Sequence, residues 1–129
     1  MSEEICAKLL TVPIFNYAKD KLNLQAMVYF SDHATVPDKR RSPNFEGLAS
    51  VRIPFFTYFS DEYISQHKEV SATLKKHANL YWTNDLAYEL LCSIFDIKSN
   101  RFDEANSLAS EKFKYNREDL RTNCGQSKI

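Results

Sequence analysis

Asp32 and His33 are adjacent residues suited to metal chemistry, since a carboxylate and an imidazole are both good ligands for Zn²⁺ or Mn²⁺. They directly follow the apolar run from Ala26 to Phe30 and Ser31. Neighbouring residues inside a strand point to opposite faces, so both side chains reach one ion only where a strand ends and the backbone turns. Two interpretations are open: a pair of metal ligands at the mouth of an active site, or a turn residue and a surface histidine.

A long polar segment from residue 34 to residue 50 follows the pair and contains the basic triplet Lys39, Arg40 and Arg41. Loops of this length in a compact domain are usually functional or disordered. The triplet is a candidate anion contact, and the alternative is a solvated loop, because runs of like charge usually face water.

Other candidate ligands lack the spacing that a metal site requires. His67 and His77 are ten residues apart and are predicted to be surface histidines. Asp61 and Glu62 are predicted to be first-turn acids that favour the helix dipole. The three cysteines have neither a zinc spacing nor a disulfide spacing; they are Cys6, Cys92 and Cys124. Cys92, which has apolar neighbours, is predicted to be a buried free thiol.

The composition excludes several classes of function. With 129 residues the chain is expected to form a single domain. Its 17 basic and 17 acidic residues balance, which argues against an electrostatic nucleic-acid partner. Two glycines are too few for Gly-rich phosphate loops. No signal peptide and no apolar run of about 18 residues is visible, so the chain as it stands is expected to be cytoplasmic.

The apolar pattern of the first half predicts a helix and two strands. The helix is expected from about Pro13 to Leu22, with Thr11 as its cap. A strand buried on both faces is expected at 25–31, and a second at 51–60, where Pro54 favours an edge or a bulge. Because strands buried on both faces are typical of parallel sheets flanked by helices, the predicted fold class is α/β.

The second half predicts two helices and a loop-rich tail. Ser60 is expected to cap a helix that begins at Asp61 and has a break near His67. Thr83 is expected to cap a helix from residue 84 to about residue 95 with a wide apolar face. After Ile97 the periodicity is lost, which predicts surface loops with a short final strand.

Four stretches, in order, resemble one family: "YFSDHA", "VRIPFFTYFSDEY", "LKKH" and "WTNDLAYELLCSIFDI". They are similar to the C-terminal part of the catalytic domain of bacterial phosphoethanolamine transferases, in the sulfatase and alkaline-phosphatase superfamily. The resemblance spans about residues 15–97 and leaves 98–129 as a loop-rich tail. It implies a partial alkaline-phosphatase-like (sulfatase-like) α/β sheet flanked by helices, with the N-terminal half of the domain missing. In this family a strand ends in Ser-Asp-His-Gly, and the Asp and His bind the catalytic zinc, which implies Asp32 and His33 as zinc ligands.

The resemblance also implies an activity for full-length relatives. These are inner-membrane enzymes with a periplasmic catalytic domain, and they transfer phosphoethanolamine from phosphatidylethanolamine to lipid A or other envelope glycans. A metal-bound threonine is transiently phosphorylated, and zinc polarises the phosphoryl group.

This chain departs from the family pattern in ways that affect the activity. The threonine and the acidic ligand belong to the family's N-terminal half, which has no counterpart here. Ala34 stands where the family has glycine. Since catalytic zinc normally has three protein ligands, the chain alone is expected to be inactive.

Three hypotheses follow from the sequence. The first is a truncated transferase-like protein that retains part of the metal site. The second is a non-catalytic interaction or oligomerisation module, because half of an α/β domain leaves a sheet edge and apolar faces uncovered. Its partner would be a second copy of the chain or a complementary N-terminal half. The third is a complete small α/β protein whose resemblance to the family is coincidental.

Overall fold

The computed structural model describes residues 3–32, 52–119, 121–122 and 127–128, which belong to two compact units, Met1–Ser60 and Asp61–Ile129. The first unit contains helix α1 (Glu3–Leu22) and strands β1 (Ala26–Phe30) and β2 (Phe55–Phe59). The second unit contains α2 (Asp61–Gln66), α3 (Lys68–Lys76), α4 (Ala87–Ile94), β3 (Arg121–Thr122) and β4 (Ser127–Lys128), with short 3₁₀ turns at Asn84–Leu86, Glu104–Asn106 and Arg117–Asp119. The described chain is therefore a mixture of helix and small sheets, compatible with a partial α/β fold.

Strands β1 and β2 form an antiparallel pair in which Ala26 lies opposite Phe59 and Phe30 opposite Phe55. Cross-strand aromatic contact stabilises this register, since the rings of Tyr29 and Phe56 stack with their centroids 4.9 Å apart. The parallel pairing expected from the sequence is therefore wrong for these two strands. Strand β1 is half-buried rather than buried on both faces, so its continuous apolar run does not indicate a parallel sheet here.

Helix α1 begins at Glu3, ten residues earlier than the pattern predicts, and Pro13 lies inside it rather than in its first turn. A proline inside a helix removes one backbone hydrogen bond but does not prevent the helix from continuing on its N-terminal side. Thr11 is consequently an interior residue and not a cap. The predicted end at Leu22 is confirmed, and Asn23 follows in the left-handed conformation (φ 49°) that commonly ends helices.

The predicted break in the first helix of the second unit is confirmed at His67, whose backbone (φ −121°, ψ 52°) separates α2 from α3. Helix α4 begins at Ala87, three residues after the predicted start at Asn84, and the 3₁₀ turn at Asn84–Leu86 precedes it. Thr83 is the residue before that turn, but its side chain makes no capping hydrogen bond. At its other end, Asp96 is left-handed, and the Ile97 N–H donates to the Cys92 carbonyl at 2.9 Å.

The core of the second unit forms around α4, where Leu90 and Ile94 are fully buried. The Tyr63 hydroxyl donates a 2.6 Å hydrogen bond to the Ile94 carbonyl and joins α2 to this core. Cys92 is a buried free thiol, as predicted. The predicted apolar face is only partly covered, because Leu86 is buried whereas Phe95 is 51% exposed.

The segment after Ile97 is not only surface loop, because Ser107, Leu108, Ala109 and Ser110 are buried. His77 binds this segment: its Nδ1 lies 2.9 Å from the Leu108 carbonyl oxygen. The prediction that His77 is a surface residue is therefore wrong. The expected short final strand corresponds to β3 and β4, which pair antiparallel. Among the described residues, no helix is both long and apolar enough to cross a membrane.

Candidate functional site

Asp32 lies two residues beyond the end of β1 and is exposed, so its carboxylate is accessible to solvent at this end of the sheet. The Ser31 hydroxyl donates to Asp32 Oδ1 at 3.5 Å, the long limit of a hydrogen bond. This placement agrees with the predicted position of Asp32 at a strand end.

The remaining sequence-predicted site residues, His33, Lys39, Arg40 and Arg41, lie outside the described residues. The pairing of Asp32 with His33 and the anion contact of the basic triplet therefore stay predictions. Within the described part of the chain, no three His, Cys, Asp or Glu side chains come together as a metal site. The Asp32 carboxylate by its chemistry fits a zinc ligand, and it supplies one of the three or four that zinc requires.

The antiparallel register brings a second charged residue to this end of the sheet, one that sequence reasoning missed. The paired residues of β1 and β2 run from Ala26 with Phe59 to Phe30 with Phe55, so the chain enters β2 beside the end of β1. Arg52 lies three residues before β2 and is exposed. The sequence alone gives no signal for this neighbour, because strand direction and register decide it.

The other histidines have structural surroundings. The ring of His67 stacks on Tyr63 with centroids 4.4 Å apart, at the break between two helices. His77 is only 8% exposed, and because a carbonyl oxygen only accepts hydrogen bonds, its Nδ1 carries the proton. Asp61 and Glu62 occupy the first turn of α2, as predicted.

Tyr63 also has a perturbed hydroxyl. Burial raises the pKa of the Tyr63 phenol, and the Asp96 carboxylate raises that pKa further. Both effects keep the hydroxyl protonated and able to donate to the Ile94 carbonyl. Tyr63 is therefore a structural hydrogen-bond donor in the second unit.

An open cleft of about 380 Å³ lies in the second unit. Its carboxylates are Glu69, Asp96 and Glu104, beside apolar side chains such as Phe102. Glu104 is already engaged there: it accepts hydrogen bonds from Lys112 and Ser110, and the Lys112 contact lowers the pKa of the Glu104 carboxyl. These contacts give Glu104 the role of an ion-pair partner rather than a proton donor or acceptor.

Two aromatic residues near position 82 make contacts within the second unit. The Arg117 guanidinium lies 5.5 Å from the ring centroid of Tyr81. The Tyr88 hydroxyl donates to Ser99 Oγ at 2.6 Å. Both contacts hold aromatic side chains against neighbouring segments of the second unit.

Comparison of the chain with family models, curated proteins and solved structures found no match. Function is therefore argued from the residues and their geometry. The feature that combines predicted chemistry with an accessible position is the end of the β1–β2 sheet, where Asp32 lies.

Proposed function

We propose that this chain is part of a phosphoethanolamine-transferase-like catalytic domain of the sulfatase superfamily, in which Asp32 and His33 are two of the zinc ligands. The supporting observation is the order of elements around the motif. Strand β1 ends immediately before Ser31 and Asp32, and β2 leads through Ser60 into a helix that begins at Asp61. The family resemblance requires the same order, a strand before Ser-Asp-His and a second strand before Ser-Asp-Glu-Tyr.

In this proposal, Asp32 contributes a carboxylate oxygen to the zinc and His33 contributes a ring nitrogen. The Ser31 hydroxyl, through its contact with Oδ1, orients the Asp32 carboxylate. When bound, zinc would supply Lewis acidity that polarises a phosphoryl oxygen of the substrate. The remaining ligands and the threonine nucleophile would come from the family's other half-domain. The substrates of full-length relatives, phosphatidylethanolamine and lipid A or other envelope glycans, belong to the same proposal.

Helix α1 supports the idea that the first unit packs against further protein. The ring of Phe15 packs edge-on against that of Tyr58 in the sheet, with the ring centroids 4.8 Å apart. Ile14 and Tyr17, on another side of the helix, are more than 60% exposed. A helix with apolar residues around its circumference is typical of a helix buried on several sides. A two-stranded sheet is also only marginally stable without additional packing.

The experiment that tests the proposal is a zinc titration of the purified chain by competition with a chromophoric chelator. We expect weak binding, because two protein ligands hold zinc poorly. Asp32→Asn and His33→Ala should each weaken it roughly ten-fold or more. His67→Ala is the matched control, since His67 stacks on Tyr63 at a helix break, and it should leave zinc affinity unchanged.

Two results would contradict the assignment. One is tight stoichiometric zinc binding that His33→Ala leaves unaltered, because the metal would then be held elsewhere. The other is an absence of zinc binding at millimolar metal.

A second candidate function is a non-catalytic interaction or oligomerisation module. The observation that favours it is the exposure of large apolar side chains on α1, where Val12, Ile14, Tyr17 and Leu22 are 51–66% exposed. Ile14 and Tyr17 lie together on one side of the helix, and neighbouring exposed apolar residues often mark contact surfaces. The partner would be a second copy of the chain or a complementary half-domain.

A further inference from the structure

We draw no further inference here: the strongest candidate, the open cleft of the second unit beside α3 and α4, offers an acidic cluster of Glu69, Asp96 and Glu104, and nothing in the described part of the chain indicates a ligand for it.

Discussion

The polar side chains of this protein differ in what surrounds them. Tyr63 and His77 are buried, and each directs a hydrogen bond to a carbonyl of the second unit, that of Ile94 and that of Leu108. Because a buried polar group without a partner costs about 1–3 kcal/mol, these bonds specify how the segments pack. Asp32 and Arg52 are exposed at one end of a sheet. Their position suits binding, since solvent can deliver a ligand to them.

At the same scale, the ion pairs of the second unit predict an acid dependence of stability. Glu111 accepts hydrogen bonds from Lys76 and Thr73, and the Lys76 contact lowers the pKa of the Glu111 carboxyl. A carboxyl whose pKa is lower in the folded state binds protons more readily when unfolded. The contribution of Glu111 to the stability of the fold is therefore complete above the pKa of an unfolded carboxyl, about 4.3, and it is lost as the pH falls through the lowered pKa of the folded state.

Glu111→Gln should accordingly reduce the loss of stability on acidification, measured as the change in urea midpoint between neutral pH and about pH 3. Glu118→Gln is the control, because Glu118 is an exposed carboxylate of the 117–119 turn outside these ion pairs. Added salt should diminish the effect, since these charges are exposed and screened. An identical acid response in Glu111→Gln and the unaltered chain would contradict the role given to Lys76.

At the scale of elements, the segment at 107–110 is part of the core of the second unit. Leu108 is 3% exposed, whereas Leu80 is 47% exposed, which gives a matched pair of leucines. Leu108→Ala should lower the free energy of unfolding by about 2–5 kcal/mol, the range for buried leucines. Leu80→Ala should lower it by less than about 1 kcal/mol. Equal effects in urea denaturation would mean that the segment is a surface loop, as the sequence pattern suggests.

Several elements could be predicted from the sequence because local signals define them. The apolar run predicts both ends of β1 to within one residue, and Leu22 is both the predicted and the observed end of α1. The break at His67 follows from a thin apolar stripe with polar residues between. Burial of Leu90 and Ile94 follows from helical spacing, which needs no knowledge of the partner elements.

The remaining features depend on contacts between distant residues. The start of α1 differs from the prediction because a proline favours the first turn of a helix, although a helix can continue through a proline at a cost. Antiparallel pairing of β1 with β2 cannot be distinguished from parallel pairing by an apolar run alone. Burial of His77 comes from a partner 31 residues away, for which the polar tail gives no periodic signal.

The candidate site likewise combines a feature that local sequence predicts with one that depends on contacts between distant residues. Asp32 could be identified because its position after an apolar strand is a local property of the sequence. Arg52 could not, because only the direction and register of two strands bring it to the same end of the sheet. The zinc assignment and the family resemblance stay proposals, with His33 as the residue whose substitution tests them most directly.

At the scale of the whole molecule, the exposed apolar side chains of α1 allow a test of the second proposed function, the interaction or oligomerisation module. Thr11, Phe15 and Ala18 form the half-buried side of this helix, while Ile14 and Tyr17, three residues apart, lie together on another side. A surface of this kind lowers its free energy by leaving water, at about 25 cal/mol per Å² of apolar area buried. If α1 is the contact surface of an interaction module, the chain should self-associate as its concentration rises.

Size-exclusion chromatography with light scattering, over micromolar to millimolar protein, measures this directly. Ile14→Lys and Tyr17→Lys should return the mass to that of one chain, because each places a charge in the apolar contact. Phe95→Lys is the control, since Phe95 is an equally large residue, 51% exposed, in the second unit. Association that is lost in the α1 variants and kept in Phe95→Lys would support the oligomerisation module. A single-chain mass at all concentrations, with one cooperative thermal transition, would exclude self-association through α1 and would argue against a half-domain with an uncovered sheet.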